Sequence, residues 1–160
     1  MGDLIGISLL ILISALFAMS EIAIAASRKI KLRVMADEGS DNAAAVLKLQ
    51  ENPGAFFAMI QIALNAIAIL GGIVGEQALS PYVQSILVLF YQGVHLEKIS
   101  FLFSFFTITS LFILFADLMP KRLAMIMPEA VAVRVVTIMR WVTFALTPLV
   151  MFFNGLTNFV

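Results

Sequence analysis

Residues 100–122 read SFLFSFFTITSLFILFADLMPKR, and this stretch decides which kind of fold the chain can adopt. It is apolar from Ser100 to Leu118, close to the roughly 20 residues with which an α-helix crosses the hydrocarbon core of a bilayer. Its one acid, Asp117, is followed by Pro120 and two cations. An ionisable side chain at a helix centre in a membrane costs about 2.5–3.5 kcal/mol on insertion scales. Such residues usually mark an ion path or a partner contact.

The composition of the whole chain indicates an integral membrane protein. Of its 160 residues, 62% are hydrophobic and only 12% are charged, which is more apolar surface than a soluble core of this length can bury. The formal net charge is zero, so no basic field favours nucleic acid as a partner. With no cysteine and a single histidine, thiolate catalysis and a histidine metal cluster are excluded. The sequence contains no apparent nucleophile–base pair, so we do not expect an enzyme.

The hydropathy pattern predicts one all-α membrane domain over residues 1–160, with three transmembrane helices at about 4–27, 53–78 and 100–119. The first run is preceded by an acid rather than by cations, so we interpret it as a retained helix and not as a signal peptide. Pro53 suits the first turn of the second helix. The apolar stretch 85–91 is too short to span, and we expect a surface helix or an interfacial aromatic cap there.

Two further segments are expected at the membrane surface. Residues 28–52 are charged with an intermittent apolar face, which predicts two short amphipathic juxtamembrane helices separated near Gly39. They would form either a belt that couples to the cytoplasm or a solvated connector. Segment 121–155 contains Arg140 and Pro148, which weaken a full span. We favour three full spans and a partial or re-entrant fourth segment.

The basic residues predict the orientation. Of the ten Lys and Arg residues, only Lys98 lies between the second and third runs. The positive-inside rule therefore places the other loops in the cytoplasm and the amino terminus outside. We expect a bacterial inner (plasma) membrane location.

Polar and small residues on the second run share helical faces. Gln61 and Asn65 are four residues apart, and they serve either as interhelical hydrogen-bonding groups or as part of a cation path. Gly71, Gly72 and Gly75 predict a close approach of another helix, because small residues four apart let backbones come together.

On the third run, Ser104, Thr107, Ser110 and Asp117 form a polar stripe, although serine and threonine also bond their own helix backbone. Pro120 has no N–H for the carbonyl of Ala116, so that oxygen is free to bind a ligand unless the helix has already ended. Near the end of the first run, Ser20 precedes Glu21. Glu21 either pairs with a cation such as Lys121 or binds a cation directly.

These groups are hard oxygen donors, which suit Mg²⁺ or Na⁺. We hypothesise a cation cavity open to the cytoplasm, formed by the Ser20 hydroxyl, Asn65, the carbonyl of Ala116 and the Asp117 carboxylate. The residues that would border the path are Glu21, Gln61, Thr107, Ser110, Pro120 and Lys121.

Several short motifs occur together in a fixed order. They are Phe17-Ala18-Met19-Ser20-Glu21, Ala26-Ser27-Arg28, Glu51-Asn52-Pro53, Gln61, Asn65, Gly75-Glu76, Asp117-Leu118-Met119-Pro120-Lys121 and Pro128-Glu129. On these residues the chain resembles the transmembrane domain of the CorC/CNNM family of magnesium transport proteins, also described as hemolysin-related. The resemblance covers nearly the whole chain.

The resemblance implies a homodimer with three spans, and cytoplasmic paired CBS domains that bind adenine nucleotides downstream of residue 160. It also implies Mg²⁺ or Co²⁺ efflux exchanged for Na⁺, with the cation held by Ser20, Asn65, the carbonyl of Ala116 and the acid at 117. Membrane lipids are the other expected partner, with no nucleic acid and no organic cofactor.

The sequence departs from the family at the expected cation site. The usual Gly-Glu-Leu-x-Pro-Lys motif reads Ala116-Asp117-Leu118-Met119-Pro120-Lys121 here. The shorter acid alters a site in which Mg²⁺ needs octahedral geometry at about 2.0–2.1 Å. Magnesium export is therefore our leading expectation, with export of polyamines or other organic cations as an alternative. A non-transporting anchor that dimerises cytoplasmic regulatory domains is the third.

Overall fold

The computed structural model describes residues 2–51, 53–90 and 93–157, with side chains described for 4–51, 53–90 and 93–145. Asn52 and Tyr91, which belong to the expected juxtamembrane and interfacial segments, lie outside these ranges. The elements in chain order are α1 (Gly2–Ala26), α2 (Lys29–Asp37), α3 (Asp41–Glu51), α4 (Pro53–Leu87), α5 (Leu96–Leu111), a π-helical segment (Phe112–Leu118), α6 (Met119–Ile126) and α7 (Pro128–Thr157). The described ranges contain no strand, so the all-α prediction is confirmed.

Within the described residues, three stretches of helix are long and apolar enough to cross a membrane: Leu4–Ala26, Pro53–Leu87 and Leu96–Ile126. They correspond to the three predicted spans. The second and third continue beyond the expected ends at 78 and 119, through Pro81 and Pro120. A helix satisfies its backbone through its own hydrogen bonds, so a drop in hydropathy does not end it. Where the membrane itself ends along each helix stays a prediction.

The apolar stretch 85–91 does not form a separate surface helix over its described part. Its first residues complete α4, which ends at Leu87. A turn follows, in which the N–H of Phe90 donates to the carbonyl of Leu87 at 2.9 Å.

By its internal contacts, the chain divides into two compact units. The first unit contains the chain up to Ala15 together with Asn65–Met119. The second contains Leu16–Leu64 and the chain from Pro120 onward.

In the first unit, α4 packs closely on the third long helix through two glycines. A Cβ at Gly71 would collide with the ring of Phe112, and a Cβ at Gly75 would collide with Ile108. Gly72 has no atom within 4 Å of its Cβ position. Close approach therefore depends on the residues four apart, as a small-xxx-small pattern requires. The buried cluster of this unit is formed by Ile7, Ile108, Phe112 and Ala116, with Leu10, Ile11, Ile67, Val74 and Ala78 packed against it.

The second unit contains the two juxtamembrane helices, which form where the sequence predicts them. Gly39 separates α2 from α3 with a φ of 97°, a left-handed conformation that glycine adopts without steric cost. The Ser40 hydroxyl then accepts the N–H of Ala43 at 3.3 Å and caps α3. Helix α3 packs on both α2 and α7.

Helix α7 presents a regular apolar face. Its buried residues Ala132, Val135, Val136 and Met139 recur at the three- and four-residue spacing of a helix face that packs on a core. The helix runs without reversal past position 148, so a re-entrant turn within 135–153 is not formed. Whether α7 enters the membrane stays a prediction.

Candidate functional site

Asp117 lies on the π-helical segment, directly after the buried Ala116, and is itself half-buried. The segment has the widened π hydrogen-bonding pattern, and the N–H of Met119 donates to the carbonyl of Leu114, five residues earlier. π-Helical turns are rare and frequently occur at functional sites. The structure thus places Asp117, the acid near the end of the third apolar run, on a local distortion of the helix.

Pro120 explains why the distortion occurs at this place. In a regular α-helix its ring would clash with the carbonyl of Ala116, and it supplies no N–H to that oxygen. The wider π turn before the proline separates ring and carbonyl while the helix continues to Ile126. The carbonyl of Ala116 therefore receives no bond from position 120, within a continuous helix and not at a helix end.

The π turn also keeps one face of the helix buried. The buried residues of this helix fall at every fourth position: Ser100, Ser104, Ile108, Phe112, Ala116, Pro120 and Ala124. Four residues exceed one α turn of 3.6 residues, so the buried face would rotate away in a uniform α-helix. The wider π turn contains more residues per turn, so it rotates the buried face back in the opposite direction.

The two amides of α4 are exposed. Gln61 and Asn65 share a face, as their spacing predicts, and both are solvent-accessible in the single chain. Gln61 belongs to the second unit and Asn65 to the first.

Ser20 is fully buried, and its hydroxyl donates to the carbonyl of Leu16 at 2.7 Å. The proton is thereby committed to the helix backbone, but the oxygen retains lone pairs with which it can accept a hydrogen bond or contact a cation.

Glu21 forms the ion pair that was one of its two expected roles. Its Oε2 lies 3.4 Å from Nζ of Lys121, and the two side chains are 15% and 28% exposed. Glu21 Oε2 has no partner at hydrogen-bonding geometry among the described residues. Both findings agree with an ionic contact that is longer than the 2.7–2.9 Å of a charge-assisted hydrogen bond.

The four residues of the hypothesised cation cavity are divided between the units. Asn65, Ala116 and Asp117 belong to the first unit, and Ser20 belongs to the second. The cavity therefore stays a prediction. Within the described residues, no three His, Cys, Asp or Glu side chains gather into a metal-binding group. A cation site at Asp117 would thus depend on amide, hydroxyl and carbonyl oxygens beside one carboxylate.

The polar stripe of the third helix is largely bonded to its own backbone. Thr107 donates to the carbonyl of Phe103 at 2.8 Å and Ser110 to that of Phe106 at 2.7 Å. Ser104 is fully buried, and its hydroxyl has no partner among the described residues. The stripe therefore presents acceptor lone pairs at Thr107 and Ser110, and one unsatisfied hydroxyl at Ser104.

Beside Thr107 and Ser110 the first unit has an open groove of about 430 Å³. Its lining residues are Phe103, Phe106, Thr107, Ser110, Leu111 and Leu114. The last of these lies three residues before Asp117, which is about one helical turn. The groove thus combines aromatic and hydroxyl side chains on the helix that carries Asp117, although the acid is not itself one of its lining residues.

Sequence reasoning missed the role of Glu129, whose side chain is only 3% exposed at the start of α7. Arg28 donates from its backbone N–H at 3.4 Å and from Nε at 3.2 Å, and Lys31 donates from Nζ at 3.2 Å. Burial raises the pKa of Glu129, but hydrogen bonds from its own backbone N–H, Lys31 and Arg28 outweigh it and lower the pKa to about 2. Glu129 therefore joins the start of α2 to the start of α7 as a carboxylate. The Pro128-Glu129 motif was the available signal, since an acid suits a first helical turn.

Gln50 is a second structural residue that the sequence did not single out. Its Nε2 donates to the carbonyl of Ile24 at 2.7 Å and to that of Ser27 at 2.9 Å. The last carbonyls of a helix have no partner within it, so Gln50 of α3 satisfies the end of α1.

The sequence pattern described as the Cyclin M transmembrane N-terminal domain, or CNNM, matches residues 5–160. The chain belongs to this family. It is 54% identical over 160 residues to the polyamine export protein of Escherichia coli K12, covering all of this chain and 36% of that protein. It is 46% identical over 155 residues to the polyamine export protein of Haemophilus influenzae, and the match covers 97% of this chain and 36% of that protein. It is 35% identical over 153 residues to a UPF0053 protein of Synechocystis, and the match covers 92% of this chain and 33% of that protein. The chain thus spans about a third of the length of these relatives.

Proposed function

We propose that this chain is the membrane domain of an exporter whose cargo is a polyamine or a similar organic polycation. The observation that carries the proposal is the position of Asp117 on a π turn, three residues after Leu114, which lines a groove together with Phe103, Phe106, Thr107 and Ser110. The name of the relatives that are 54% and 46% identical to this chain supports the same cargo.

The chemistry of an ammonium group suits this arrangement. A protonated amine needs a counter-charge and hydrogen-bond acceptors, which the Asp117 carboxylate and the hydroxyl oxygens of Thr107 and Ser110 would supply. Aromatic faces such as those of Phe103 and Phe106 attract cations through the ring quadrupole. A flexible polycation tolerates small differences in distance, so it does not require the full-length glutamate found in the usual family motif.

Magnesium is the second candidate cargo. It is favoured by the hard oxygen character of Ser20, Asn65, the carbonyl of Ala116 and Asp117. Against it stands the shorter acid at 117, because Mg²⁺ demands near-ideal octahedral geometry. Coupling of either cargo to an inward flow of Na⁺ is part of the proposal.

Transport by the full-length protein in proteoliposomes tests the proposal. We expect labelled putrescine or spermidine to be transported, and Asp117→Asn to reduce the rate at least tenfold because the counter-charge is lost. Asp37→Asn removes an exposed acid of α2 and should leave the rate unchanged. Asp117→Glu restores the usual acid of the family and should retain activity.

The same vesicles distinguish the other functions. Magnesium flux, followed with an internal magnesium indicator, would assign the second cargo if Asp117→Asn abolished it while polyamine flux was absent. If neither cation moves in correctly folded protein, the domain is an anchor and not a transporter. Imposing and then removing a Na⁺ gradient tests the coupling.

A further inference from the structure

The second unit has an open groove of about 630 Å³ whose lining includes none of the residues of the expected cation path. Helix α3 contributes Leu49, and helix α7 contributes the rest of its lining, which is Thr137, Arg140, Trp141, Thr143 and Phe144. Trp141 and Phe144 are 74% and 79% exposed. The groove thus combines one cation with two large exposed aromatic side chains.

The groove lies where α7 changes from polar to apolar. Glu129, Arg134 and Arg140 are on the amino-terminal side, and no charged residue occurs from Trp141 to Thr157. Tryptophan is enriched at the level of lipid headgroups. The pair Arg140-Trp141 therefore has the composition of a membrane–water boundary.

Among the residues that the structure describes, the side-chain donors of Arg140 and Trp141 have no hydrogen-bond acceptor, whereas both threonines of the groove are bonded. The Thr137 hydroxyl donates to Oδ1 of Asn42 at 3.2 Å, and the Thr143 hydroxyl donates to the carbonyl of Met139 at 2.7 Å. The Arg140 guanidinium has no carboxylate partner among the described residues. It presents a planar set of donors that fits phosphate oxygens, and the indole N–H of Trp141 is a second donor.

The charge of the groove has a single sign. None of its six lining residues is acidic. A basic group beside exposed aromatic surface matches a ligand with a phosphate at one end and a hydrocarbon chain at the other. Basic residues next to a membrane favour anionic lipids through the negative surface potential of the cytoplasmic leaflet.

We propose that the groove between α3 and α7 binds the headgroup of an anionic phospholipid. Arg140 binds the phosphate, the Trp141 indole donates to the phosphate or glycerol oxygens, and Phe144 contacts the start of an acyl chain. The lipid would hold α7 at the membrane surface beside α3.

The single tryptophan of the chain provides the measurement. The protein is placed in nanodiscs containing phosphatidylcholine and phosphatidylglycerol at fixed mole fractions, with brominated acyl chains on one lipid at a time. Quenching of Trp141 fluorescence then reports which lipid contacts it. We expect stronger quenching by brominated phosphatidylglycerol, corresponding to about a fivefold preference for one basic contact near the surface.

Two arginine variants separate a specific site from general charge. Arg140→Gln should abolish the preference and Arg140→Lys should retain part of it, because lysine keeps the charge without the planar donor set. Arg134→Gln removes an exposed cation of the same helix that does not line the groove, and should keep the full preference.

Three results would overturn the proposal. The first is equal quenching by the two brominated lipids in the unaltered protein. The second is the same loss of preference in Arg134→Gln as in Arg140→Gln, which would indicate general attraction. The third is loss of the preference on adding inorganic phosphate at constant ionic strength, which would assign the groove to free phosphate.

Discussion

Gly71 of α4 lies against the aromatic ring of Phe112, the first residue of the π-helical segment, and the ring occupies the place where any other residue would have its Cβ. Phe112 is only 7% exposed. The absence of a side chain at Gly71 therefore allows α4 to approach the helix that carries Asp117.

Gly71→Ala should destabilise the protein. The added methyl group collides with a buried ring, and overpacking of this kind costs about 1–3 kcal/mol. Thermal unfolding in detergent measures the effect as a lower midpoint. The matched control is Gly72→Ala, because nothing lies within 4 Å of its Cβ position. Replacing that helical glycine should raise stability by up to about 1 kcal/mol, so equal losses at both positions would contradict the packing.

Glu129 should make stability depend on pH. Its pKa is lowered from 4.5 to about 2 in the folded protein, so its contribution is fully present above pH 4.5 and is lost as the pH falls towards 2. Glu129→Gln removes this contribution. The difference in unfolding midpoint between the two proteins should be constant above about pH 5.5 and should narrow below 4.5. A difference that stays the same down to pH 2.5 would contradict the ion pairs with Arg28 and Lys31.

Gln50→Ala should destabilise the junction of α1 and α3. It leaves the carbonyls of Ile24 and Ser27 without the donor that satisfies them, at a cost of about 1–3 kcal/mol for buried groups. Hydrogen exchange should also increase in the last turn of α1. Lys48→Ala, at an exposed position of the same helix, should change stability by less than about 0.5 kcal/mol. Similar losses in both variants would indicate a general effect on α3.

Ser104→Ala should be more stable than Ser100→Ala. Both serines are buried in α5, but Ser100 donates to the carbonyl of Leu96 at 2.9 Å, whereas Ser104 has no partner among the described residues. Removing an unsatisfied buried hydroxyl avoids a cost of about 1–3 kcal/mol. Thermal unfolding of the two variants gives the comparison. The reverse order would mean that Ser104 bonds a group outside this chain.

Several elements could be predicted from the sequence because their signals are local. The three long apolar helices follow from runs of hydrophobic residues, and the turn between α2 and α3 follows from Gly39. The pairing of Glu21 with Lys121 was one of two alternatives, because opposite charges in an apolar region attract strongly but leave cation binding open.

Other features depend on parts of the chain that are far apart in sequence. Glu129 is about a hundred residues from Arg28 and Lys31, and no local pattern indicates that they meet. The π segment was also missed. Pro120 predicted a disturbance of the helix there. Helix termination and a widened turn both accommodate a proline that has no N–H, so the sequence did not distinguish between them.

By itself, the sequence determined that this is a helical membrane protein with an acid near the end of its third apolar run. Hydrophobicity and the need to satisfy every backbone group in lipid leave few other folds. Only the tertiary structure decided that the third helix continues through Pro120 on a π turn. It also decided that Phe112 and Ile108 pack against Gly71 and Gly75. The ion pairs by which Glu129 joins α2 to α7 are likewise visible only in the structure. These features depend on which side chains meet across helices, and that is set by packing and charge pairing between segments remote in the chain.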